Sequence, residues 1–271
     1  MSASFSSGFA LHIPKDDAGG YRKIPINLAG EEPLSIRIDG VPYSIVMRTP
    51  GDEIPHAAGF CLTEGIVDAP EDIASLACCD TGDTNVVTLT LTAERREKIA
   101  GYLNRRGFIS QTSCGLCGKE LIQDITAAVS PLTDTTRIRA ADAIAFLDQF
   151  SDHQPLRKIT RATHASMVMD ATGAVLSSAE DVGRHNTVDK AVGALFLDHR
   201  LHTARVLVLS SRISYELVQK SARADISVIL AVSRPTALAV ALATRLNITL
   251  ACLAPDRGLY VYCAGQRLTE V

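Results

Sequence analysis

Leu207-Val208-Leu209-Ser210-Ser211-Arg212-Ile213-Ser214 returns in outline as Ile229-Leu230-Ala231-Val232-Ser233-Arg234-Pro235-Thr236. Each copy is a short apolar run, then Ser-Arg, then a hydroxyl residue where helical spacing begins. Short apolar runs bounded by turn residues read as buried strands, and strands that alternate with helices build a largely parallel sheet. The spacing predicts strands at 206–209, 227–232 and 249–253 with helices between them, and Tyr260-Val261-Tyr262-Cys263 as an added edge strand. This half of the chain is therefore read as an α/β domain.

Both copies set Ser-Arg at the carboxyl end of a strand. Open α/β sheets bind ligands there, and a helix N-terminus offers free amides and the positive end of a dipole. Two neighbouring phosphate-binding turns are expected, built from Ser211 with Arg212 and Ser233 with Arg234. Pro235 suits the first position of the helix that follows, where its missing N–H costs nothing. The competing reading makes Ser211 and Ser233 plain helix caps beneath solvated arginines.

Upstream, Glu180-Asp181-Val182-Gly183-Arg184-His185-Asn186-Thr187-Val188-Asp189-Lys190 packs eight polar or charged residues into eleven. Gly183 permits a tight turn, and Asn186 or Thr187 is the expected cap of a helix at 187–200. Arg184 and Lys190 are read as an anion clamp, ordered by Asp181 and Asp189. A solvated helix entry is the alternative. Thr163-His164-Ala165-Ser166, at the start of a hairpin expected at 165–170 and 174–178, is a weaker signal.

The first half reads as a smaller α+β unit. Asp39-Gly40 between apolar runs at 34–38 and 41–47 signals a hairpin, since a type I′ turn needs positive φ at both central positions. Helices are expected at 54–66 and 93–106 and a strand at 86–91. Beyond it, helices at 119–129 and 141–150 flank Ser130-Pro131. The domains are placed at 20–112 and 131–271, with 113–130 as a mobile loop and linking helix.

That loop carries Ser113-Cys114-Gly115-Leu116-Cys117-Gly118-Lys119. The thiolate is the reactive form of cysteine, and a nearby cation or helix N-terminus lowers its pKa from about 8.5 to roughly 3.5–7.5. Lys119 and the amides of the following helix are placed to do so, and the flanking glycines let the loop swing. Structural zinc would need four ligands, and the nearest other cysteines, Cys78-Cys79, have poor spacing for it. A thioredoxin-like motif would follow a buried strand, but the segment at 107–112 is too short and polar. No metal site is expected. Sulfur transfer or redox chemistry leads, with zinc and a bland loop left open.

Across 271 residues, 27 Lys+Arg balance 30 Asp+Glu, which gives no long-range attraction to nucleic acid or an anionic membrane. Seven cysteines, an odd number in irregular positions, read as reduced thiols of a cytoplasmic protein rather than a disulfide framework. No signal peptide or run long enough for a membrane span is read. Zinc nucleobase deaminases share an α/β sheet with CxxC but need H-x-E before P-C-x-x-C. Here Ser166 stands at the glutamate's place, and the CxxC precedes the histidine.

Several motifs in order resemble the FdhD family, the sulfurtransferase accessory proteins of formate dehydrogenase. They are Phe60 with Thr63-Glu64-Gly65-Ile66, the Cys114–Cys117 motif, Thr163 to Ser166, Glu180 to Lys190, Ser210-Ser211-Arg212 and Ser233-Arg234-Pro235-Thr236. The resemblance implies a cytidine-deaminase-like three-layer α/β second domain, a homodimer, a cysteine desulfurase as sulfur donor and formate dehydrogenase as client. Cys114 matches the persulfide cysteine and Cys117 its partner. The cofactor it implies is bis(molybdopterin guanine dinucleotide) molybdenum, held transiently and mimicked by a guanine nucleotide. Its binding residues would be Asp181, Gly183, Arg184, His185, Ser211, Arg212, Ser233, Arg234 and the segment Leu253-Ala254-Pro255-Asp256-Arg257-Gly258. The family's segment typically has an aromatic residue and two arginines; here the arginine positions fall on Pro255 and Gly258, with Arg257 displaced by one. The alternative function is a non-catalytic cofactor chaperone for the dehydrogenase.

Overall fold

The computed structural model describes residues 3–15, 20–79, 85–106 and 129–270. It opens with a two-stranded antiparallel ribbon, β1 (Phe5–His12) and β2 (Arg22–Ala29), for which the sequence gives no expectation. Most of both strands is exposed, so neither shows the apolar alternation that marks a half-buried strand.

The next unit is a four-stranded sheet made of β3 (Glu32–Ile38), β4 (Val41–Arg48), β5 (Ile73–Cys78) and β6 (Val86–Leu91), in the order β4-β3-β6-β5. Asp39 and Gly40 turn β3 into β4 with φ of 51° and 80°, as expected of the hairpin. Leu34, Ile36 and Ile38 alternate inward on β3, as Val87, Leu89 and Leu91 do on β6. They pack against α1 (Glu53–Thr63), and α2 (Ala93–Arg106) follows β6. Residues 113–128, which hold nearly all of the expected loop and of the helix expected at 119–129, lie outside the described residues.

After residue 129 come β7 (Ile138–Arg139), α3 (Ala140–Gln149), α4 (Pro155–Thr160), β8 (His164–Met169), β9 (Val175–Asp181) and α5 (Arg184–Leu197). Then β10 (Val206–Leu209), α6 (Tyr215–Arg223), β11 (Val228–Ala231), α7 (Ala237–Arg245), β12 (Thr249–Leu253), β13 (Leu259–Cys263) and β14 (Leu268–Thr269) complete the chain. Six strands form one sheet, ordered β13-β12-β11-β10-β8-β9. Only β10, β11 and β12 are mutually parallel; antiparallel β8–β9 and β13 flank them. The sheet is thus mixed rather than largely parallel, because hairpins rather than crossovers supply its outer strands.

One face of this sheet, with Met167, Val206, Val208 and Leu230, meets Ala143, Phe146 and Leu147 of α3. The other, with Val168, Leu207, Leu209 and Ile229, meets α5, α6 and α7, and that core continues through α1 to the four-stranded sheet. The helix α5 crosses α1 so closely that a Cβ on Gly59 would sit 1.9 Å from the Asp189 carbonyl oxygen, and one on Gly193 1.9 Å from that of Pro55. Among the described residues, no helix is long and apolar enough to cross a membrane.

Candidate functional site

The parallel strands end together at Leu209, Ala231 and Leu253, while antiparallel β8 and β9 bring His164 and Asp181 to the same edge as cross-strand partners. That edge therefore gathers the predicted residues of four separate segments. Ser210 ties the first turn to β8: its amide donates to the Ala165 carbonyl (3.1 Å) and its Oγ accepts from the Ala165 amide (2.9 Å). The two Ser-Arg turns then run side by side, with the Ile213 amide donating to the Arg234 carbonyl (3.4 Å) and the Thr236 amide to that of Ile213 (3.0 Å).

Neither Ser211 nor Ser233 caps a helix. The caps are Ser214 for α6 and Thr236 for α7, and Thr236 accepts from the Ala239 amide at 3.3 Å. Pro235 consequently precedes the cap instead of opening the helix. The turns are longer than the spacing suggests, and the amides of Ser211, Arg212, Ser233 and Arg234 meet no acceptor among the described residues. Ser211 is buried and donates to the Arg212 carbonyl (3.1 Å), while both arginine side chains are exposed. Donors without acceptors beside exposed guanidinium groups suit a phosphate.

In the acidic–basic stretch, α5 begins three residues before the expected start, and Gly183 is its cap, so Asn186 and Thr187 lie within the first turn. The reason is Asp181. Its carboxylate accepts from the amides of Gly183 (2.8 Å) and Thr49 (3.0 Å) and from the Asn186 side chain (2.8 Å), and Lys190 Nζ lies 2.8 Å away. Asp181 and Lys190 are 0% and 2% exposed at their side chains, which corrects the anion clamp: Lys190 faces inward, and Asp181 fixes the turn. Asp189 is likewise inside, taking hydrogen bonds from Thr63 Oγ1 (2.8 Å) and Lys220 Nζ (2.9 Å). Burial works against the Lys220 charge, but Asp189 and Glu64 overcome it and hold the ammonium pKa above its ordinary value. His56 completes this seam, kept neutral by burial and by the charges of Lys190, Lys220 and Arg48.

Arg184 and His185 remain near the edge. The Arg184 Nε is buried with no hydrogen-bond partner among the described residues. His185 Nε2 lies 3.5 Å from Ser214 Oγ and 3.9 Å from Glu216. Burial, then the charges of Lys220 and Arg184, lower its pKa to about 4 and leave it neutral at neutral pH. His164 is pushed down as well, by burial and by Arg184 and Arg157. Glu180 is occupied elsewhere, accepting from the Leu156 and Arg157 amides at 2.7 Å each where α4 begins.

Leu253 closes β12, and residues 254–258 form the turn into β13, with the Ala254 amide donating to the Gly258 carbonyl at 2.8 Å. Arg257 sits in the left-handed region at φ 66° and pairs with Asp148 of α3. Pro255 leaves no donor there, and Asp256 accepts from the Gly258 amide at 3.0 Å. Cys114 and Cys117 lie outside the described residues. No three His, Cys, Asp or Glu residues converge as metal ligands among the described ones. Ser214 is the hydroxyl residue expected at the helix start, whereas sequence reasoning missed Glu216 and Lys220, two charges four residues apart on α6 that look like an ordinary solvated pair.

A model of the FdhD/NarQ family matches residues 29–269. Similar curated proteins are each named sulfur carrier protein FdhD. The one from Mycolicibacterium paratuberculosis is 37% identical over 90% of this chain and 92% of its own length. That of Xanthomonas campestris pv. campestris is 38% identical over 89% and 85%, and that of Bordetella bronchiseptica 34% over 89% and 87%. A crystal structure from Desulfotalea psychrophila, described as a formate dehydrogenase accessory protein, shares the fold with a TM-score of 0.76. Its identity is 23%, over 98% of this chain and 99% of that one.

Proposed function

The chain belongs to the FdhD/NarQ family, and from that premise we propose that it is a cytoplasmic sulfur carrier serving formate dehydrogenase. It takes sulfur from a cysteine desulfurase and passes it to bis(molybdopterin guanine dinucleotide) molybdenum before that cofactor enters the enzyme. The observation that carries the reading is one chain holding both the Ser-Cys-Gly-Leu-Cys-Gly motif and a sheet edge with two adjacent Ser-Arg turns.

The chemistry balances on the two cysteines. Cys114 thiolate attacks the outer sulfur of the desulfurase persulfide, forming Cys114–S–SH and releasing the desulfurase thiolate. Cys117 thiolate then attacks Cys114 Sγ; a Cys114–Cys117 disulfide forms, and the outer sulfur leaves as hydrosulfide toward the molybdenum. The sulfur is reduced as the cysteines are oxidised, and a cellular dithiol resets them. Arg184, Arg212 and Arg234, with the free turn amides, hold the cofactor's phosphates, and neutral His185 orients it; the carrier's main task is positioning. Arg257 contributes least, being paired with Asp148. The working form is a homodimer.

The test is replacement of this chain in cells by Cys114→Ala. The purified variant should still bind guanosine diphosphate, while formate dehydrogenase activity is lost. Full dehydrogenase activity with Cys114→Ala would reduce the protein to a cofactor chaperone.

A further inference from the structure

The two Ser-Arg turns differ in one neighbour. Strand β13 lies beside β12 with Tyr260 opposite Cys252, and the Arg234 guanidinium carbon stands 5.4 Å from the Tyr260 ring centre. Arg212 has no such ring beside it among the described residues. Tyr262 falls at a β-bulge in this pairing, and its hydroxyl meets the Sγ of Cys252, the residue opposite Tyr260, at 3.6 Å. Tyr260 is 43% exposed and Tyr262 37%. In a chain with no tryptophan and only 5% aromatic residues, two exposed rings next to a donor-rich turn need a reason.

An aromatic face and a guanidinium plane are the two surfaces on which unstacked bases are held, whatever their sequence. The edge strand offers the first and the second turn the second, with the Ser233 and Arg234 amides, which meet no acceptor among the described residues, alongside. We propose that Tyr260, with Arg234, seats the base of a nucleoside diphosphate whose phosphates lie on the Ser233-Arg234 turn. The two turns are then unequal: one holds phosphate and base, the other phosphate alone. This rests on the cofactor reading above.

Calorimetry with guanosine diphosphate and with inorganic pyrophosphate separates base from phosphate. Tyr260→Ala should weaken the tighter diphosphonucleoside association roughly tenfold, as loss of one base–aromatic stack does, and leave pyrophosphate binding unchanged. Tyr260→Phe, which keeps the ring, should bind as the parent does. Unchanged nucleotide affinity in Tyr260→Ala overturns the base seat while the phosphate-binding turns stand. Equal loss of pyrophosphate binding also overturns it, since Tyr260 would then only hold Arg234 in place. A parent protein that binds neither ligand removes the cofactor reading and the seat together.

Discussion

The seam between α1 and α5 and the open edge of the six-stranded sheet draw charges from the same stretch, residues 180–190, yet treat them in opposite ways. Asp181, Asp189 and Lys190 turn inward, where every carboxylate oxygen and the ammonium finds a partner. Arg184 and His185, between them in sequence, stay at the edge, where Arg184 keeps a buried nitrogen without a partner among the described residues. Charges paired inside the protein fix its geometry; on the proposed reading, Arg184 and the exposed arginines of the two turns are the ones that meet a ligand. Substitutions should therefore cost stability in the seam and binding at the edge.

The largest loss is expected at Lys220. Lys220→Met strands the Asp189 carboxylate, 2% exposed, and should cost about 3–5 kcal/mol in urea unfolding. Adding Asp189→Leu should restore much of it, and a double variant no better than the single would show that the pair is not what Lys220 supports. Next comes the helix crossing. Gly59→Ala brings a Cβ into the Asp189 backbone, and overpacking of that kind should cost about 1–3 kcal/mol, read from the same unfolding curves.

These two effects also show what the sequence could and could not disclose. The Asp39-Gly40 turn, β6 and α2 were legible because turn chemistry and periodicity are local. The edge was legible too, since Ser-Arg after an apolar strand has one place in such a sheet. The direction of each charge in 180–190 was not, because it depends on Thr49, Thr63 and Lys220, which are remote in the chain. The β1–β2 ribbon escaped for the opposite reason: its apolar residues, Phe9 at 65% and Leu11 at 62%, are largely exposed, so no burial pattern marks it.

A smaller effect belongs to His185, on the border of the two regions. Folded, it titrates near 4, whereas an unfolded histidine titrates near about 6.5. Between those values the unfolded chain binds more protons, so stability rises with pH across that window and its contribution is level outside it. His185→Asn should make that rise shallower in thermal unfolding measured from pH 4 to 7; an unchanged slope would mean the ring is charged when folded. The smallest stability change is expected at Arg212, whose exposed side chain makes no ion pair among the described residues: Arg212→Ala should shift unfolding by no more than about 0.5 kcal/mol. Pyrophosphate affinity should nevertheless fall, and a variant that loses stability but keeps its affinity would erase the contrast between seam and edge.

Sulfur carriage itself is tested most directly by intact-protein mass spectrometry after incubation with a cysteine desulfurase and cysteine. The parent chain should gain about the mass of one sulfur atom, Cys117→Ala should keep that gain, and Cys114→Ala should lose it. No gain in the parent, or a gain that persists without Cys114, would contradict a persulfide carried on that residue.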